Sequence, residues 1–426
     1  MADEIVNPNK HLIIPDWINA KYFAGVLAKD EPNHVKVLKF TPVAAIPPGE
    51  NFTSTMLRIH IKLEMKNGGV KDKTYIFKTM LPEERGGKDI AEFGLFPKEA
   101  KMYDTYLPAF EELYKKAGWD IQLAPKCLHT EERNGDIHFI FEDLREAGFG
   151  NLDRTKGLDM KHMTASLQKL AEYHAASAVY EEQNGRYPEE FYEGFVTRSV
   201  KKFHIDGFNI KEKAYKKAML TWGMPEAKKY IEKFPNAEQY WAQGLATLNY
   251  EPNEFYVLNH GDFWSSNLMT NYLPDGSLNK LILLDFQICK WGSPSEDLLF
   301  FLILSAQSDL RLTEFDNFVR IYWERLVECL KVLKYKKPIP ALRDIQRSMY
   351  HKNSSFYAFF SILNHLPIIL FPTDKDSNIH NLSADTPEGE NYRERLLSNP
   401  AFGAVMKDLY PFLYNRGILN FEDYDK

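Results

Sequence analysis

Residues 257–267 read Val-Leu-Asn-His-Gly-Asp-Phe-Trp-Ser-Ser-Asn, and residues 281–287 read Leu-Ile-Leu-Leu-Asp-Phe-Gln. In each stretch a short apolar run delivers the chain to polar residues, the pattern of a buried strand ending at a loop. His260-Gly261-Asp262 is followed by Asn267 five positions after the aspartate, and Asp285 closes the second run. A base aspartate, an asparagine five residues on and an aspartate ending the next strand form the arrangement of a phosphoryl-transfer loop. That chemistry must orient an attacking hydroxyl and neutralise charge on a polyphosphate. Asp262 is suited to accept the hydroxyl proton, and Asn267 and Asp285 to supply hard oxygen ligands to Mg²⁺. His260 is grouped with them as part of the same loop. A hairpin of two short strands is expected to bring 262, 267 and 285 together. Each residue alone reads equally well as a turn residue or a helix cap, and the joint pattern is what points to catalysis.

Upstream, the same chemistry asks for a cation on the α/β-phosphates of ATP and an acid to hold that cation. Lys78 ends the apolar run Tyr75-Ile76-Phe77, and Glu99 falls in the next helical stretch. Lysine and glutamate are common and usually solvated, so this pair draws its meaning from the downstream loop. Pro48-Gly49-Glu50-Asn51-Phe52-Thr53-Ser54 is a turn whose backbone N–H groups and hydroxyls suit phosphates, with Asn51 and Ser54 as candidates. It has no G-x-G-x-x-G, and an ordinary turn explains it nearly as well. Phe141-Glu142-Asp143-Leu144 stands where a connector between lobes would run, so the backbone at Glu142 and Leu144 is a candidate for an adenine edge. His174 lies on an apolar helix face and reads as a core histidine. Asp297 opens an apolar helix, either as its cap or as a support for the 260–267 loop.

The rest of the chain divides around residue 144. Leu57, Ile59, Ile61 and Leu63 alternate with polar residues, Asn67-Gly68-Gly69 signals a turn, and 75–78 returns, which predicts an antiparallel hairpin. A helix is expected over 15–28 with Asp16 as its cap, another over 96–115 interrupted at Pro108, and a strand over 137–141. Beyond 144 the periodicity is helical around Leu167, Leu170, His174 and Ala178, with further helices near 209–219, 224–233 and 235–248. Short strands are expected at 255–258 and 280–284, and helices from 298 onward. The polar stretch 372–392 reads as a surface loop. The expected fold is α+β and bilobal: a small antiparallel-sheet lobe over 1–144 for the nucleotide, and a larger helical lobe over 145–426 for catalysis and substrate.

Composition narrows the function classes. The 426 residues carry 53 Lys and Arg against 59 Asp and Glu, a net charge of −6, which argues against a general nucleic-acid binder. Three scattered cysteines suit neither a disulfide framework nor a zinc cluster. The start Met-Ala-Asp-Glu has no basic and apolar leader, so a cytoplasmic protein is expected. The apolar stretch 356–371, interrupted by Ser361, Asn364, His365 and Pro367, is too short for a membrane span and reads as a buried helix breaking at Pro367, with the wall of a sterol-sized pocket as the alternative.

His260-Gly261-Asp262-Phe263-Trp264-x-x-Asn267, Leu284-Asp285-Phe286-Gln287 and Pro294-x-x-Asp297-Leu298 together resemble the ecdysteroid kinase-like family, also called CHK-kinase-like. Lys78, Phe96-x-x-Glu99-x-x-x-Tyr103, Phe141-Glu142-Asp143-Leu144 and Leu170-Ala171-x-x-His174-Ala175 extend the resemblance over roughly residues 35–340. The family is abundant in insects and similar to choline kinases and aminoglycoside phosphotransferases. The resemblance implies a protein-kinase-like fold, ATP with Mg²⁺, and transfer of the γ-phosphate to a hydroxyl of a small molecule. The namesake acceptor is an ecdysteroid, and other members are expected to act on xenobiotic alcohols. Only eleven residues separate Asp285 from Asp297, which leaves no room for a long peptide-binding segment and favours a small acceptor. A choline- or ethanolamine-type kinase and a catalytically silent nucleotide-binding fold are the competing readings. The intact set Lys78, Glu99, Asp262, Asn267 and Asp285 speaks against the silent one. The sequence leaves the oligomeric state open.

Overall fold

In the strand Ser54–Met65, Leu57, Ile59, Ile61 and Leu63 are buried while His60 and Lys62 between them are exposed, so the period-two pattern becomes one packed face and one solvated face. The computed structural model describes residues 14–46, 54–81, 93–373, 376–377 and 379–425. Five strands form the N-terminal sheet: β1 (His34–Ala44), β2 (Ser54–Met65), β3 (Val70–Met80), β4 (Cys127–Arg133) and β5 (Asp136–Glu142). All pair antiparallel in the order β1-β2-β3-β5-β4. Tyr75, Phe77 and Ile140 join the β2 residues against Val26 and Leu27 of the first helix, Ala24–Asp30, and Phe23 just before it. Each such side chain contributes roughly 1.5–3 kcal/mol on burial. Phe139 and Phe141 point to the opposite face and pack with Phe96 and Tyr103. Lys78 lies opposite Phe139 in register, so it faces that second layer.

The C-terminal part is helical around two small sheets. The long helix Met160–Asn184 lies against Phe315–Val332, and the wholly buried helix Ser295–Ser305 sits nearby. β6 (Gly150–Asn151), β8 (Leu268–Tyr272) and β9 (Leu278–Leu283) form one sheet in the order β6-β8-β9, and β7 (Val257–Asn259) pairs with β10 (Lys290–Gly292). The β8–β9 hairpin is antiparallel, with Leu268 opposite Leu283. The expected α+β architecture, a sheet lobe followed by a helical part, is therefore present.

Several local expectations are corrected. The first helix starts at Ala24 and not near Asp16, because Asn19 Oδ1 accepts the N–H groups of Lys21 and Tyr22 and holds the preceding residues in turns. The helix expected over 96–115 is Leu95–Lys101, a π turn over Met102–Tyr106, and Leu107–Lys116. Pro108 stands in the first turn of that last segment, where its missing N–H costs least. The widened turn just before it, in which Leu107 N–H reaches Met102 O, absorbs the interruption. The same device recurs at Ser361–His365, directly ahead of Leu366–Ile369 and its Pro367. The polar stretch 372–392 is not all loop: it contains the helix Ile379–Ser383 and the start of Pro387–Leu397, which Thr386 caps through the N–H of Gly389 at 3.1 Å. Among the described residues no helix is long and apolar enough to cross a membrane. Cys127, Cys289 and Cys329 are free thiols.

Candidate active site

Lys78 leaves β3 toward the helix Leu95–Lys101, and its Nζ donates to both carboxylate oxygens of Glu99, at 2.8 and 2.7 Å. It also donates to Asp285 Oδ1. Lys78 and Glu99 are 3% and 1% exposed, so the pair is screened little by solvent. Burial works to lower the Lys78 pKa, but the carboxylates of Asp285 and Glu99 outweigh it and hold the ammonium above its ordinary value. Two carboxylates far apart in sequence thus converge on one cation.

Asp285 follows β9 and has a φ of 69°, a left-handed conformation that only a few per cent of non-glycine residues adopt. Gln287 Nε2 lies 3.4 Å from its Oδ2. Behind it Phe286 is fully buried and touches His260, with ring centroids 4.7 Å apart, and Tyr103, at 5.8 Å. One aromatic side chain therefore links the 260–267 loop to the helical layer that bears Glu99.

The loop itself is fixed from three directions. Asn267 Nδ2 donates to Asp262 O at 2.9 Å and to Asp262 Oδ2 at 2.8 Å, so its Oδ1 is the atom that remains for a cation. Asn267 O accepts the N–H of Leu284 at 2.9 Å, stitching the loop to the residue before Asp285. Asp297, 1% exposed, accepts the N–H groups of His260 at 2.6 Å and Gly261 at 2.9 Å. His174 Nε2 reaches the same carboxylate at 3.1 Å while its Nδ1 meets Tyr322 OH at 2.8 Å. The core-histidine expectation for His174 is thus met, and of the two expectations for Asp297 the supporting one describes its contacts. Both ring nitrogens of His260 are engaged: Nε2 donates to Leu284 O at 2.8 Å, across to the segment before Asp285, and Nδ1 accepts from Asp262 N–H at 3.3 Å. Its burial keeps it neutral by lowering its pKa.

Burial pushes the Asp262 carboxyl up to about 7, and the charge on nearby Asp285 adds to the rise, while Asn267 and the Trp264 indole oppose it. The Trp264 N–H is buried without closing a hydrogen bond of good geometry. Beyond it the aromatic rings continue outward. Trp264 neighbours His365 at 6.5 Å, His365 neighbours Phe360 at 4.9 Å, and Phe360 neighbours Phe195 at 4.9 Å. Phe195 in turn stacks on Phe93 at 5.6 Å and borders Phe203, which is 43% exposed. His365 Nδ1 is also buried without a partner, and burial together with the nearby Lys211 ammonium lowers its pKa to about 3.

The remaining candidates are dispersed. Asn51 lies outside the described residues. Ser54 is buried at the start of β2, opposite Met80. Glu142 ends β5 with its side chain accepting the Lys126 N–H at 2.8 Å and its own N–H donating to Lys126 O at 3.1 Å. Leu144 packs with Phe149, Met269 and Ile282. Between them Asp143 accepts from Arg58 Nε at 2.6 Å, which ties the connector to β2. Trp264 and Gln287 stand in the quoted motifs without an assigned role, and the sequence reading gave none to Arg58 or to His365 individually. His365 had left a signal as a polar interruption of an apolar run, whereas Arg58 looks like any outward residue of a half-buried strand.

The model of the ecdysteroid kinase-like family matches residues 48–335, two thirds of the chain. No curated protein matches the sequence. Among solved structures, a Haemophilus somnus 129PT protein provisionally named a fructosamine-3-kinase is similar at 13% identity, covering 78% of this chain and 96% of that one, with a TM-score of 0.33. The chain belongs to the ecdysteroid kinase-like family and is a small-molecule kinase.

Proposed function

We propose that the protein transfers the γ-phosphate of ATP, with Mg²⁺, to a hydroxyl of an apolar small molecule, an ecdysteroid or a related ring-bearing alcohol. The observation that carries this reading is the convergence of Lys78 on Glu99 and Asp285, beside an Asp262 hydrogen-bonded to Asn267. Lys78, kept charged by its acidic neighbours, would meet the phosphates of ATP. Asp285 and Asn267 Oδ1 would hold Mg²⁺, and their hard oxygens fit that ion. When bound, Mg²⁺ neutralises charge on the phosphates. Asp262 orients the acceptor hydroxyl and takes its proton, a role suited to a carboxyl with a pKa of about 7. His260 and Asp297 position the loop. The backbone at Glu142 and Leu144 would face the adenine, Asn51 and Ser54 the phosphates, with the lobes dividing at residue 144.

The ring series from Trp264 to Phe203 supports an apolar acceptor. Lys211 beside His365 disfavours a quaternary ammonium such as choline, since a like charge opposes the cation. The test is ATP consumption with Mg²⁺ against ecdysteroids, plant-derived alcohols, choline and ethanolamine, with Asp262→Ala as control. Turnover on an apolar alcohol, lost in the variant, is expected. Turnover on choline alone would overturn the acceptor reading, and failure to bind ATP would overturn the kinase mechanism.

A further inference from the structure

The segment from Glu189 to Phe195 runs alongside the helix Leu95–Lys101 in the opposite direction and touches it at three levels. Phe195 stacks on Phe93, just ahead of the helix, with rings 5.6 Å apart and 16° from parallel. Glu193 O accepts from Lys98 Nζ at 2.6 Å. Glu190 pairs with Lys101. Lys98 is 4% exposed, although no carboxylate forms an ion pair with it among the described residues, and its Nζ also lies 5.8 Å from the Phe191 ring. Burial draws its pKa down to about 8, so holding an ammonium there costs folding free energy that a surface lysine would not.

The segment is itself anchored to the helical part of the protein. A Cβ on Gly194 would come within 3.2 Å of the Lys290 stem in β10, and Tyr187 packs on Trp291 of the same strand at 5.2 Å. Lys290 in turn is buried in an ion pair with Glu296 at 2.6 Å. β10 pairs with β7, which leads directly into His260. A continuous set of contacts therefore runs from the 260–267 loop through β10 and the 189–195 segment to the helix that presents Glu99.

We propose that the 189–195 segment is a clamp that holds Glu99 against Lys78, and that Lys98 is its principal positioning residue. Glu99 and Lys98 are adjacent on one short helix; Lys98 fastens that helix to the segment so that Glu99 reaches Lys78. Lys101 and Glu190 make a weaker, exposed version of the same link one turn on. Because the segment ends at Phe195, one piece of chain borders both the Lys78–Glu99 pair and the aromatic series beside Trp264. The inference rests on the reading of Lys78 and Glu99 as the nucleotide-binding pair.

The test uses the full chain with Lys98→Met, Lys98→Arg, Lys101→Glu, Glu190→Lys and the double swap. Lys98→Met is expected to lower kcat/KM for ATP by about tenfold, the loss of one charge-assisted hydrogen bond, with the acceptor KM unchanged. Lys98→Arg should recover much of it. Each exposed single variant should cost roughly two- to fivefold, with the double swap restoring the activity. In the nucleotide-free protein, Lys98→Met should speed amide hydrogen exchange in residues 95–106 and leave the β8–β9 hairpin unchanged. If Lys98→Met does not fold, the exposed pair and its swap decide the matter. Wild-type ATP kinetics and exchange in the folded variants would overturn the clamp while leaving the kinase reading standing. A wild-type protein that binds no fluorescent ATP analogue would overturn the nucleotide-site reading and the clamp with it.

Discussion

His174 and Asp297 lie 123 positions apart and meet in the interior, Nε2 to Oδ2 at 3.1 Å, with both side chains essentially without solvent contact. Asp297 uses the same carboxylate to receive the N–H groups of His260 and Gly261. Replacing Asp297 with alanine orphans three buried donors at once. Each unsatisfied donor costs about 1–3 kcal/mol, so Asp297→Ala should lose roughly 3–5 kcal/mol by urea denaturation. The loss should fall on turnover as well, because the 260–267 loop has no other carboxylate on those N–H groups. Unchanged stability would mean that Asp297 only caps its helix.

The Asp262 carboxyl gives a pH dependence of definite sign. Burial and the Asp285 charge raise it from an ordinary 3.8 to about 7. A base works only when deprotonated, so kcat/KM should rise with pH through the neutral range and level off above it. The stability effect runs the other way. Between the unfolded and folded values the native state binds the extra proton, so this group loses native stability as pH rises from about 4 to about 7. Asp262→Asn should therefore abolish turnover yet raise Tm relative to wild type at pH 8, with little difference at pH 4. A variant that is equally destabilised at both values would refute the burial argument.

Lys78 and Glu99 should respond unequally to mutation. Glu99→Gln keeps a polar partner for the ammonium, and Asp285 still faces it. Kcat/KM for ATP should fall about ten- to a hundredfold, the worth of a charge-assisted hydrogen bond. Lys78→Met strands two carboxylates, one of them 1% exposed, and should lose both ATP binding and thermal stability. Equilibrium binding of a fluorescent ATP analogue and thermal melts separate the two outcomes; equal effects from both variants would argue against a shared cation site.

Most of this site was legible because its parts are short-range patterns. The spacing of Asp262 and Asn267 is local, and β9, which delivers Asp285, follows from the apolar run Leu281-Ile282-Leu283, whereas the hairpin partner of β9 is β8 at 268–272 and not the strand expected at 255–258. Lys78 and Glu99 were legible only through that loop, since neither differs in sequence from a solvated residue. What stayed hidden depends on tertiary contact. β1, β4, β8 and β10 carry weak or short alternation, and packing selected them over propensity. Lys98 reads as a surface lysine beside Glu99, yet it is buried because a segment almost a hundred residues later covers it. The π turns ahead of Pro108 and Pro367 show a similar limit: the prolines mark an interruption, but the helix on either side decides whether it ends or widens.

Gly261 supplies the sharpest steric test. Its φ is +83°, a region that a Cβ disfavours by about 1–2 kcal/mol. Space forbids the side chain as well, because a Cβ there would stand 2.4 Å from Ile288 O and 3.0 Å from its carbonyl carbon. These are backbone atoms and cannot swing away as a flexible side chain would. The loop would have to move off the segment after Asp285, and Asp262 would move with it. Gly261→Ala should therefore lose turnover by at least about a hundredfold, the scale of a misplaced reacting group, while Gly292→Ala, which would meet the Glu296 side chain at 2.4 Å, should act mainly on stability. Steady-state kinetics at saturating ATP, read beside thermal melts of both variants, distinguish the two. Near-normal turnover in Gly261→Ala would show that the loop has freedom which the close approach to Ile288 denies it.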